Sequence, residues 1–256
     1  MRAARQDRAL VLLGIAAITL LSWAHLVRMG AMMNAAAADK AMHAAMGMPE
    51  MAAWGNAEFV MLFLMWAVMM VAMMLPSAAP MILLVAGTYR RRGDRSRALT
   101  VAFGSGYLVA WTAFSVAAAL TQLVLHRTAL LSDNMATNSA ILGGVILLLA
   151  GIYQWLPLKT ACLTHCRSPL AFLAGHWREG TSGALAMGLR HGLYCVGCCW
   201  ALMLLLFAAG VMNLLWVAAI AIFVLVEKLV PQGPAVSRVA GIVLTAWGGW
   251  VLMRGI

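Results

Sequence analysis

The sequence predicts an all-α polytopic transmembrane helix bundle of about seven spans, and three observations carry that prediction. Of 256 residues, 64% are hydrophobic and 10% charged, with a mean hydropathy of +0.91, which leaves too little polar surface to cover a water-soluble fold. The apolar residues fall in long runs of the length that crosses a hydrocarbon core as a helix. The net charge of +10 sits in the short links between those runs. Disordered, collagen-like and disulfide-scaffold classes are excluded by the same composition.

Residues 1–56 read as an N-terminal signal-anchor helix and a Met/His-rich outer loop. Ala9 to Val27 forms the first apolar run, led by Arg2, Arg5 and Arg8, and no small-residue cleavage pattern follows it directly. Residues 57–256 read as a six-helix membrane domain with a cytoplasmic Cys/His loop. Its runs are Ala57 to Thr88, Ala98 to Leu125, Met135 to Pro157, Ala184 to Ala208, Val211 to Val230 and Ala235 to Met253. Pro76 and Pro80 supply a cause for a kink or an early end in the first of these. Asp133 and Asn134 read as a loop turn, and Pro231-Gln-Gly-Pro234 breaks the last two runs. The fifth and sixth spans are separated by little more than Gly210, so six spans is the alternative count.

With the N-terminus in the cytoplasm, Arg2, Arg5, Arg8, Arg90, Arg91, Arg92, Arg95, Arg97, Lys159, Arg167, Arg178, Arg190, Lys228 and Arg238 fall on one side. Arg28, Lys40, Arg127 and Arg254 fall on the other. Fourteen against four is the bias that the positive-inside rule requires, so the basic charge reads as orientation and contact with the lipid bilayer. Nucleic acid is not an expected partner. The expected location is a bacterial inner membrane.

All five cysteines lie between Cys162 and Cys199, a window that also holds His165, His176 and His191. On the cytoplasmic side such thiols stay reduced, which favours metal ligation or thiol chemistry over structural disulfides. Cys162-Leu-Thr-His165-Cys166 sits on the loop after Pro157, with a spacing that lets one turn of backbone aim several soft donors at one ion. The second group is His191, Cys195, Cys198 and Cys199; at about 100° per residue of helix these four share one face, from which Gly188, Gly192 and Gly197 remove bulk. His176 reads equally as a ligand, a supporting donor or an interfacial anchor.

Fourteen of the twenty methionines lie between Met29 and Met81. The outer loop carries Met29, Met32, Met33, Met42, His43, Met46, Met48 and Met51, a composition suited to collecting Cu(I) where thiolates oxidise. The second span continues with Met61, Met65, Met69 and Met73 at steps of four, and with Met70, Met74 and Met81 on a neighbouring stripe. Thioether outside and thiolate inside make an inward path for a soft metal. Such a stripe, like a cysteine in a membrane helix, also serves as ordinary packing. Glu227 reads as an interfacial partner of Lys228. No catalytic triad, P-loop or dinucleotide fingerprint is present, so the chain reads as a binding or transport protein before an enzyme.

Trp66-Ala-Val-Met-Met-Val-Ala-Met-Met-Leu-Pro76-Ser-Ala-Ala-Pro80-Met81, Cys162-Leu-Thr-His-Cys-Arg-Ser-Pro169 and Gly188-Leu-Arg-His-Gly-Leu-Tyr-Cys-Val-Gly-Cys-Cys-Trp200 together resemble the bacterial family of predicted metal-binding integral membrane proteins, a domain of unknown function. The resemblance covers about residues 57 to 254 and implies a multi-helix inner-membrane protein with a metal site. The matching positions are Met69, Met70, Met73, Met74, Pro76 and Pro80, then Cys162, His165 and Cys166, then His191, Cys195, Cys198 and Cys199. The expectation is a soft-metal protein that carries or delivers Cu(I), with Zn(II) the alternative ion and a metallochaperone or membrane partner protein as its counterpart. A membrane thiol oxidoreductase using Cys195 and Cys198 or Cys162 and Cys166 is the second reading, and a structural or assembly subunit without metal the third.

Overall fold

The computed structural model describes residues 2–45, 56–93, 96–128, 130, 137 and 139–255. The described residues form helices and no strands: α1 (Arg2–Ala45), α2 (Asn56–Arg91), α3 (Ser96–Arg127), α4 (Ala140–Tyr153), α5 (Pro157–Arg167), α6 (Pro169–His176), α7 (Gly180–Ala209), α8 (Leu214–Leu229) and α9 (Gly233–Arg254). The helix bundle matches the expected fold class. Five helices are long and apolar enough to cross a membrane, namely α1, α2, α3, α7 and α9. A sixth span arises if α4 and α5, bent by 64° at the break between them, are counted as one. The sixth apolar run of the sequence gives only α8, whose 16 residues extend about 24 Å against a hydrocarbon core of about 30 Å.

The first helix does not stop at Val27. Ala-rich sequence with Met and Lys has high helix propensity, and α1 runs on to Ala45 through much of the expected outer loop. Met46, Met48 and Met51 lie outside the described residues, as do Asp133 and Asn134. The α2 helix is continuous through Pro76 and Pro80. Ser77 Oγ and Tyr107 OH both donate to the Met74 carbonyl beside the prolines, whose missing N–H groups leave the carbonyls of Ala72 and Pro76 without their helical donors.

The expected Cys/His loop is helical. Pro157 and Pro169 stand at the first turns of α5 and α6, where a missing N–H costs nothing, so they start helices instead of breaking them. Leu163, Phe172 and Leu173 are buried and dock the two short helices on the bundle, α5 mainly against α7 and α6 against α2. The α3–α7 interface is the most extensive in the molecule. A Cβ at Gly188 of α7 would collide with the Phe103 backbone of α3, so the close approach requires glycine there. The α4 and α9 helices pack together through Gly144, Gly151, Gly241 and Gly248.

Two lysines expected among the loop charges are buried. Lys159 on α5 is 1% exposed and makes a 2.5 Å ion pair with Glu227 of α8, itself 0% exposed. Glu227 thus partners Lys159 and not its neighbour Lys228. Gln154 accepts from Lys159, and Ser237 of α9 donates to Glu227, so a polar knot ties α4, α5, α8 and α9 together. Arg167, at the far end of α5, donates to the carbonyls of Val230 and Pro231 at 2.7 and 2.8 Å. The helix that carries Cys162 and Cys166 is thereby held at one end to α8 and at the other to the turn between α8 and α9.

Candidate metal centre

Cys195 lies midway along α7 and faces inward. Its thiol is surrounded by residues from three other helices. Lys228 Nζ of α8 donates to Cys195 Sγ at 2.9 Å and to Ser77 Oγ of α2 at 3.1 Å. Tyr107 OH of α3 is 3.1 Å from the same sulfur and donates to the Met74 carbonyl at 3.0 Å. Ser77 Oγ donates to that carbonyl at 2.8 Å, which closes a ring through Met74, Tyr107, Cys195, Lys228 and Ser77. Buried polar groups in a membrane bundle need such partners, and here each has one.

The other thiols gather beside this ring. Cys198 Sγ is 3.9 Å from Cys166 Sγ and 3.7 Å from Cys199 Sγ, and Cys166 also borders Cys195. Two thiolates on one tetrahedral ion, with metal–sulfur bonds of about 2.3 Å, stand about 3.8 Å apart, so these pairs have the spacing of shared ligands. Cys198 and Cys199 also donate to the Cys195 carbonyl, at 3.1 and 2.7 Å. Those bonds turn the two thiols back along α7. Among the described residues no group of three His, Cys, Asp or Glu side chains already surrounds a metal position, and a bound ion would require these thiols to rotate off the carbonyl. Cys162 lies over Gly197, where a Cβ would come within 2.8 Å of its sulfur, so that glycine makes room for α5 to approach.

The histidines part company. His191 is 3% exposed, and its ring sits against Phe103, Tyr107 and Phe172 with Nδ1 lacking any hydrogen-bond partner. A buried orphaned nitrogen one turn from Cys195 suits a ligand position. His165 does not join the thiols; it stacks on Tyr194, with ring centroids 4.2 Å apart.

Met65, Met69, Met70, Met73 and Met74 of α2 are all buried, as is Met81. Met61 is 72% exposed, so the thioether stripe begins one turn later than its periodicity predicts. The stripe meets the thiols at Met74, through Tyr107 and Ser77.

Sequence reasoning missed Tyr107, Ser77 and Lys228 as members of the centre. Lys228 had a signal: an ionisable residue closing an apolar run is a functional candidate by default. Tyr107 and Ser77 had none, since their roles depend on which helices adjoin.

A family profile described as PpoB2, copper chaperone, matches residues 63–251, which is more than half of the chain and includes every thiol and every buried thioether named above. No curated protein and no solved structure matches the chain. A site of thiols and thioethers with an unpartnered imidazole beside them suits copper, and with that match the chain belongs to the PpoB2 copper chaperone family.

Proposed function

We propose that this protein is a multi-pass Cu(I) carrier of the bacterial inner membrane, with its N-terminus in the cytoplasm and its C-terminus outside. It moves the ion between the thioethers of α2 and the thiols of α5 and α7, and exchanges it with a metallochaperone or a membrane partner protein. The observation that supports this reading is the burial of the α2 thioethers and the α7 thiols beside one hydrogen-bonded ring that joins the Met74 carbonyl to Cys195 Sγ. Met65, Met69, Met70, Met73 and Met74 supply neutral sulfur. Cys162, Cys166, Cys195, Cys198 and Cys199 supply thiolate, and His191 a nitrogen. Thioethers bind Cu(I) and hold Zn(II) poorly, so the stripe selects copper over the alternative ion. Copper is the cargo in this reading, and the donors are arranged for exchange more than for permanent storage.

The test is copper bound by the purified full-length protein and its transfer into liposomes. Cys195→Ser and Cys162→Ser each lower the bound Cu(I) sharply, because removing one of three or four ligands undoes most of the chelate. Met69→Leu with Met73→Leu preserves volume and folding, yet slows copper transfer while zinc is unaffected. A wild type that takes up no Cu(I), or cysteine variants that retain full stoichiometry, overturns the reading. A reporter fused at Ile256 appears on the outer face.

A further inference from the structure

We infer that His165 and His176, in the last turns of α5 and α6, form a second, weaker Cu(I) site of two imidazole nitrogens, from which the ion passes to the thiols. This rests on the copper-carrier reading and adds a site that lies outside the thiol cluster.

His165 Nδ1 is 2.9 Å from the Ala161 carbonyl, and His176 Nδ1 is 3.0 Å from the Phe172 carbonyl. A carbonyl only accepts, so each Nδ1 carries the proton and each Nε2 keeps its lone pair. Imidazoles that bind metals are held in this way, with one nitrogen donating to a backbone carbonyl and the other left for the ion. The hydrogen bonds that both rings make to described residues are made by Nδ1. Two neighbouring helices present the same arrangement independently.

The rings are also a suitable distance apart, with centroids separated by 6.2 Å. A two-coordinate ion with metal–nitrogen bonds of about 2.0 Å, together with the two ring radii, spans about 6 Å. Both rings are kept in place by stacking. His165 lies flat on Tyr194, and His176 lies against Phe172 with centroids 4.9 Å apart.

Position gives the pair its use. His165 immediately precedes Cys166, and Tyr194 immediately precedes Cys195. Consecutive helical side chains point about 100° apart, so His165 and Tyr194 lie on the faces of α5 and α7 adjoining those that carry the thiols. Cu(I) prefers thiolate to imidazole, so transfer from the pair to the thiols runs downhill. His176 lines a cavity of about 300 Å³ together with Trp177, Arg178, Met187 and Arg190. The two guanidiniums suit a donor that brings Cu(I) as an anionic complex, such as one held between two thiolates.

The test loads full-length protein in detergent micelles from the anionic Cu(I)–bicinchoninate complex, following stoichiometry, loading rate and the copper X-ray absorption spectrum. Wild type takes a tight ion with sulfur neighbours and a weaker one with nitrogen neighbours. His176→Gln and His165→Gln each lose the weaker ion and its nitrogen scattering, keep the tight one, and load it more slowly. His176 faces the cavity, so its variant perturbs packing least and is sufficient alone, since one imidazole cannot make the pair. Cys195→Ser shows the converse, losing the tight ion and keeping the nitrogen-bound one. Histidine variants with unchanged stoichiometry and loading rate overturn this inference alone, and so does a second ion with only sulfur neighbours. A Cys195→Ser protein that retains the tight ion overturns the carrier reading instead.

Discussion

Lys159→Met removes one half of an ion pair in which both side chains are almost fully enclosed, at 1% and 0% exposure. What remains is the Glu227 carboxylate with Ser237 as its single hydrogen-bond donor and with Oε2 unpartnered already in the wild type. Breaking a buried pair by deleting one partner costs about 3–5 kcal/mol, because the desolvated charge left behind has nothing to offset it. That corresponds to a shift of roughly a hundredfold or more in the folded-to-unfolded ratio. The measurement is reversible unfolding in mixed micelles of rising dodecyl sulfate fraction, followed by tryptophan fluorescence. The same substitution frees one end of α5, so alkylation of Cys166 accelerates well before global unfolding. Replacing both partners with apolar residues, Lys159→Met with Glu227→Leu, recovers most of the loss, since a buried pair and a well-packed apolar pair are often close in stability. A cost under about 1 kcal/mol for Lys159→Met, with unchanged Cys166 alkylation, refutes the account: the pair would then be hydrated and α5 held by other contacts.

Gly188→Ala forces α7 away from the Phe103 backbone and costs about 1–3 kcal/mol in the same unfolding assay, whereas Gly249→Ala, with nothing within 4 Å of the added carbon, is neutral or mildly stabilising. Tyr107→Phe deletes the hydroxyl that joins Met74 to Cys195, costs about 1–3 kcal/mol, and raises the alkylation rate of Cys195; wild-type alkylation in that variant shows the ring to be unimportant for the thiol's protection.

The parts of the site that lie on a single helix were legible in the sequence. A period of 3.6 residues places His191, Cys195, Cys198 and Cys199 on one face, and all four are buried. The same rule finds the stripe from Met65 to Met73 but wrongly includes Met61, because in a membrane protein the lipid-facing and core-facing sides are equally apolar and periodicity does not tell them apart. The short helices α5 and α6 were hidden by their prolines, which read as breakers when they act as first-turn residues. Lys159 and Lys228 looked like surface charges because sequence reports a residue's place at the end of an apolar run, not the carboxylate or thiol that another helix brings to it. The pairing of Glu227 with Lys159, 68 positions away in the chain, in preference to the adjacent Lys228, is a property of how α5 docks.

The ring around Cys195 can open at that one vertex without stranding any of its other members. Tyr107 keeps the Met74 carbonyl, Lys228 keeps Ser77, and Ser77 keeps the same carbonyl. An ion arriving at the sulfur therefore displaces the Lys228 ammonium and the Tyr107 hydroxyl, each of which holds a second partner in reserve, and no polar group is left bare in a medium where that costs several kcal/mol. Every vertex of the ring has two partners, and Cys195 is the one whose ring atom is a soft metal donor. The bundle thus behaves like a clasp whose hinge stays fastened to α2 while the pin at α7 is withdrawn.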